Sequence, residues 1–280
     1  MEEEAMKKMS IFVPVLCAFT AVYAVVNIRA IQSEYRAASD EYEELVSAAV
    51  SAETPSVSHE YVEAENFPET DIAEESTPAP SEIALQETYP EISVDTDAFA
   101  SVNDDFYGFL YYEDVGIQLP VAHCDDTQYL HQTFTGMKNA SGCPFVLNDE
   151  VSADGSCIVY GHNMKNGTMF GSMKNVLTNR TNPYFYMYGT EGKSKYRVFA
   201  AFITTYDSWV YELPVDDESY DKYVRYAGIN GAYDDVPLTT KEDDALWNHA
   251  PIVVLSTCHG KAGGDERLVV LGVQIDMQTN

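Results

Sequence analysis

The chain is predicted to be mostly β: one compact domain of short strands, a barrel or a sandwich, behind an apolar segment and an acidic linker. Three observations point there. Roughly seven or eight β-branched or aromatic runs lie between Asn103 and the C-terminus, with no regular strand–helix alternation. Residues 51–105 carry 15 Asp or Glu and no Lys or Arg. Ile11 to Val26 is almost wholly apolar.

The apolar run, extended to Ile28, has the minimum length for a spanning helix. It is read as a membrane anchor over 11–28, behind a short cytoplasmic N-terminus, 1–10. A cleaved signal peptide ending at Val22-Tyr23-Ala24 is the competing reading. Either way the rest of the chain lies outside the cytoplasm, and the expected localisation is the cell membrane, single-pass, with the domain extracellular. Residues 29–50 read as a charged helical stalk. Residues 51–102 read as a disordered linker that cannot bury enough apolar area to offset its ordering entropy. Nothing before residue 100 is expected to join the core, and the compact domain is placed at 103–280.

Within the domain, Phe106–Tyr112 and Val115–Val121 read as a hairpin about Glu113-Asp114. Further strands are expected at Pro144–Leu147, Ser156–Tyr160, Tyr184–Tyr188, Tyr196–Thr205, Pro251–Thr257 and Arg267–Val273. Helices are few: Phe170–Leu177, Asp217–Ala227, and a short one opened by Thr240-Lys-Glu-Asp243 as a variant capping box.

The formal net charge of −29 excludes a general affinity for nucleic acid or for anionic lipid. Five cysteines without C-x-x-C spacing make neither a disulfide framework nor a zinc ribbon. No metal and no cofactor are expected.

Cys258 ends a hydrophobic strand and opens a Gly-rich loop. A thiol there is anchored yet reachable, as a nucleophile must be. Arg267 begins the returning strand, and His162 follows the Ser156–Tyr160 strand after Gly161, which permits a sharp turn. Singly, each has a plain reading: packing, a solvated imidazole, a surface charge. Cys124, Cys143 and Cys157 read as core thiols, and His259 as a loop residue on the opposite face.

Together, Tyr160-Gly-His-Asn-Met164, Leu255-Ser-Thr-Cys258 and Arg267 before Leu-Val-Val resemble the sortases, membrane-anchored transpeptidases of Gram-positive bacteria. The resemblance is to class B and covers Phe106 to Ile275. It implies a closed β-barrel with a helical insertion, Asp207–Ala250, before the cysteine strand. It implies Cys258 as nucleophile, His162 as general acid and Arg267 as oxyanion stabiliser. Ser256, Thr257, Asn163, Met164 and Tyr223 are the expected substrate-binding residues, Tyr223 as peptide contact area on an insertion that walls the groove. The partners implied are a surface-protein sorting signal cleaved after Thr, and an amine of a cell-wall precursor or pilin. Two rivals are a secreted cysteine protease and an anchored β-sandwich binding module. The protease fits poorly, since glycines rather than a helix follow Cys258.

Overall fold

The structure is a computed structural model describing residues 2–52, 88–178, 181–231, 236–261 and 263–280, with side chains from residue 20 onward. A single helix, α1 (Glu2–Ala49), leads into β1 (Val50–Ala52). Half of the predicted span, residues 11–19, has side chains outside the described residues. Among the described residues no helix is long and apolar enough to cross a membrane.

The C-terminal half of α1 is not a free stalk. Ala38, Tyr42 and Ala49 are buried, and Tyr35, Leu45 and Val46 pack on the same core. These positions recur every three or four residues, one apolar stripe on an otherwise charged helix. The Tyr42 hydroxyl donates to the Gly142 carbonyl (2.8 Å) and accepts from the Phe134 N–H (3.2 Å). Glu34 and Glu41 carboxylates accept from the Ala140 and Thr135 N–H groups.

The linker expectation also needs correcting at both ends. β1 pairs antiparallel with β2 (Ile92–Val94), and α2 (Thr96–Val102) follows, capped by Asp95. Phe99 of α2 is 1% exposed and stacks on Phe106 and Phe109. Acidic surroundings do not prevent burial when the one aromatic of a short helix finds a pair of rings on the neighbouring strand. Residues 53–87 of the linker lie outside the described residues.

Two predictions follow at these contacts. Tyr42→Phe strands two buried backbone groups and is expected to cost about 2 kcal/mol, read as a lower melting temperature. Removing residues 1–100, which the sequence suggests is harmless, is expected to abolish cooperative unfolding in a circular dichroism melt, because Tyr42 and Phe99 leave with it.

The remaining strands are β3 (Phe106–Tyr112), β4 (Ile117–Cys124), β5 (Phe145–Leu147), β6 (Cys157–Tyr160), β7 (Tyr184–Gly189), β8 (Gly192–Thr205), β9 (Ile252–Cys258) and β10 (Glu266–Thr279). They close a barrel in the order β10-β8-β7-β3-β4-β5-β6-β9. β4–β5 and β6–β9 are parallel, and the other pairs are antiparallel. The architecture is the closed barrel, not the sandwich.

Alternation sorts each strand. Val253 and Leu255 of β9, Val159 of β6 and Leu268 and Val270 of β10 point into the barrel core. Ile252, Val254, Ile158, Val269 and Leu271 point outward, into a second cluster. That outer cluster is covered by the insertion, which holds α3 (Asp217–Gly231) and α4 (Thr240–Trp247).

Both insertion helices are docked by buried polar groups. Tyr223 is 4% exposed and donates to the Val210 carbonyl (2.7 Å), and Tyr220 donates to the Ala250 carbonyl (2.7 Å). The capping box of α4 lies one residue earlier than expected, at Thr239 and Glu242. Glu242 also takes the Tyr184 hydroxyl and faces buried Arg197 at 3.4 Å. That demand moves the cap, since Glu242 and not Asp243 faces the barrel.

His249 clips the insertion to itself, reaching Asp217 (3.0 Å) and Asp221 (3.1 Å) through its two ring nitrogens. The Asp221 hydrogen bond does most to raise its pKa; desolvation opposes it, and the Asp217 hydrogen bond and the charges of both carboxylates add to the rise. A raised folded-state pKa gives stability that is fully present below the ordinary histidine value and lost as pH rises through the raised one. The melting-temperature deficit of His249→Gln is therefore expected to be larger at pH 6 than at pH 9. Equal deficits would show that charge at His249 contributes nothing.

Candidate active site

The outward row of β9 runs Ile252, Val254, Ser256, Cys258. It changes from apolar to polar at Ser256, which the insertion still touches through Tyr211, and this polar end floors a cleft of about 430 Å³. Cys258, His162, Arg267, Ser256, Thr257, Tyr160, Glu150 and Tyr211 are among its lining residues.

Three strand ends converge there. Arg267 is the direct antiparallel partner of Cys258. Tyr160, the last residue of β6, is the parallel partner of Ser256, and His162, two residues beyond it, lines the same cleft as Cys258. Neighbouring strands are about 4.8 Å apart. The two strand ends are stitched together. Gly161 N–H donates to the Ser256 carbonyl (3.0 Å), Thr257 Oγ1 to the Gly161 carbonyl (2.7 Å) and Asn163 Nδ2 to the Cys258 carbonyl (2.7 Å).

Gly161 is needed here for space rather than for a left-handed turn. A Cβ would lie 2.7 Å from the Phe170 ring. Gly142 does need its left-handed φ of +63°, and a Cβ there would approach the Tyr129 carbonyl to 2.4 Å and His162 Cδ2 to 3.1 Å. The imidazole is held by its Nε2, 2.8 Å from the Leu130 carbonyl. A carbonyl only accepts, so Nε2 carries a proton and Nδ1 is left to exchange one.

The Arg267 guanidinium is aimed by its own loop: Nη1 donates to the Gly264 (2.8 Å) and Glu266 (2.9 Å) carbonyls. Among the described residues its Nε and Nη2 make no hydrogen bond and remain as donors. The Tyr206 ring lies 6.0 Å away.

Cys258 is exposed, whereas Cys124, Cys143 and Cys157 are buried. Burial pushes the Cys124 and Cys157 thiols up to about 11 and Cys143 higher still. The thiolate is the nucleophile, so these three are chemically quiet at neutral pH. No metal-binding cluster occurs among the described residues.

The expected substrate residues separate. Ser256 and Thr257 line the cleft, with Thr257 spending its hydroxyl on Gly161. Asn163 holds the Cys258 backbone. Met164 and Tyr223 are buried in the two core clusters and do not line the cleft. For Tyr223 the helical spacing of the tyrosines marks the docking face of α3. The insertion reaches the cleft through Tyr211 of its first turn instead, beside Tyr206, which directly follows β8. Sequence reasoning missed these two, and also Tyr160 and Glu150. Tyr160 had a signal, since it shares a strand face with His162. Glu150 had none. A larger groove of about 580 Å³ lies between α1 and β4, and no cysteine or histidine is among its described lining residues.

Comparison with known proteins agrees with this arrangement. A Sortase domain model matches residues 110–275, more than half of the chain. Sortase B of Listeria monocytogenes is 26% identical over 179 residues, covering 61% of this chain and 70% of that protein. The Clostridium perfringens sortase B structure superposes with a TM-score of 0.55 at 26% identity, over 64% of this chain and 99% of that one. A Staphylococcus aureus sortase B–substrate complex shares the fold, with a TM-score of 0.55 at 22% identity over 65% and 84% of the two chains. The chain is a member of the sortase family of transpeptidases, and the relatives it resembles are sortase B proteins.

Proposed function

We propose that this sortase cleaves a sorting-signal peptide after Thr through a thioacyl enzyme on Cys258 and passes the acyl group to an amine. The observation that carries this is the convergence of one exposed thiol, one imidazole and one guanidinium on a single face of the sheet. The Cys258 thiolate adds to the carbonyl carbon of the Thr. Arg267 donors stabilise the oxyanion. The carbon–nitrogen bond breaks as the His162 imidazolium gives its Nδ1 proton to the leaving amine. The incoming amine then attacks the thioester, His162 takes its proton back, and the thiolate departs. The acceptor is an amine of a cell-wall precursor or pilin.

The apolar run Ile11–Ile28 supports a single membrane anchor, with the catalytic domain held outside the cell. Expression of the full chain followed by membrane fractionation and protease accessibility tests that placement.

The central test incubates the protein with a library of Thr-containing pentapeptides and a free primary amine. The expected products are peptides cut after Thr and joined to the amine, with a mass increment on Cys258 when the amine is omitted. Cleavage elsewhere, or no adduct on Cys258, would overturn the reading.

A further inference from the structure

Among the described residues, Glu150 is the one acidic side chain that lines the same cleft as Cys258, His162 and Arg267. It sits at the end of a 3-10 turn, Asn148–Glu150, directly after β5. Its carboxylate is half-buried and accepts the Tyr160 hydroxyl at 2.7 Å. The Tyr160 ring stacks on Tyr211 (6.3 Å, 13°), and the Tyr211 hydroxyl meets Ser256 Oγ at 2.9 Å. A relay of side chains thus fixes a carboxylate in the cleft wall.

Among the described residues no Lys, Arg or His pairs with Glu150. Burial raises its carboxyl above the ordinary range, and the Tyr160 hydrogen bond only partly offsets this. Withdrawing a carboxylate from water is unfavourable unless it is paired. Arg267 begins β10, three strand spacings from β5 across β6 and β9, about 14 Å, or roughly four residues of extended peptide. A neutral acceptor would orient Tyr160 equally well, so the hydrogen bond alone does not account for a charge here.

We propose that Glu150 is a specificity residue that receives an ammonium group brought into the cleft by a substrate. The ammonium comes from a Lys side chain of the sorting signal or from the acceptor amine. The proposal rests on the transpeptidase reading for the identity of the substrate, but binding tests it separately from turnover. Glu150→Gln keeps an acceptor for Tyr160 and removes only the charge.

Equilibrium binding would be measured with Thr-containing pentapeptides carrying Lys or norleucine at each position in turn. The proteins are full-length Cys258→Ala and the double variant Cys258→Ala/Glu150→Gln. At one position Lys is expected to bind about tenfold tighter than norleucine, as for a hydrogen bond to a charged group, and only when Glu150 is present. If the ammonium belongs to the acceptor instead, no position shows this, and Glu150→Gln raises the KM for the amine about tenfold. Tyr160→Phe, which leaves the carboxylate in place, is expected to retain the preference. Loss of the preference in Tyr160→Phe would mean that the carboxylate merely positions the ring. Equal Lys-to-norleucine ratios in both proteins at every position, with an unchanged amine KM, would overturn the proposal. A Glu150-dependent Lys preference without Cys258-dependent cleavage would uphold the ammonium site and refute the transpeptidase reading.

Discussion

Cys258→Ala is expected to abolish both cleavage of the sorting-signal peptide and its transfer to an amine, with stability unchanged to within about 0.5 kcal/mol. The expectation of complete loss comes from what else is available. Among the described residues the other thiols are buried and held protonated by burial, so none can substitute. The expectation of an intact fold comes from exposure: Cys258 occupies the lip of the cleft, and shortening it opens no cavity. Transfer activity retained in this variant would remove the thioacyl step from consideration. Intact-protein mass after incubation with peptide alone gives an independent check, because the adduct must vanish with the thiol.

Arg267→Lys is expected to lower kcat/KM by about 10²–10³, the usual loss on removing one oxyanion donor. Lysine keeps the charge but not the planar fork. The structure sharpens this expectation. Nη1 is held by two loop carbonyls, which leaves Nε and Nη2 directed elsewhere, and an ammonium cannot divide its donors in that way. The loss should fall mainly on kcat, since the oxyanion exists only after attack. A fall confined to KM would make Arg267 a ground-state binding residue, and near-normal turnover would make it a surface charge. Its register with Cys258 sets it next to the nucleophile without fixing which of these roles it takes.

Much of the domain was legible because local pattern and tertiary role coincide. The strand runs were apolar on both faces or alternated cleanly, and β3 through β9 fell within a few residues of their expected bounds, while β10 runs six residues past Val273. The Asp217 helix showed its tyrosines at helical spacing, but that spacing is silent about what the face touches. A peptide and a barrel wall ask for the same residues, and here the wall takes Tyr220 and Tyr223. The same ambiguity hid the packing of α1. Tyr35, Ala38, Tyr42, Leu45 and Ala49 form a visible stripe, yet charges between them and an acidic segment beyond suggested solvent. The stripe finds its partner in the loop from Phe134 to Gly142, about a hundred residues downstream.

By itself the sequence determined the strand content, the exposed position of Cys258 at a strand end and its grouping with His162 and Arg267, because alternation, turn chemistry and motif are written locally. The family resemblance already implied a closed barrel; only the tertiary structure decided that β6 and β9 lie parallel and that the insertion reaches Ser256 on the outer face through Tyr211. It also decided that Glu150, Tyr160, Tyr211 and Ser256 share the cleft with the thiol. These depend on pairings between segments up to about a hundred residues apart, selected by which buried faces and polar groups satisfy one another, and no local pattern encodes that choice.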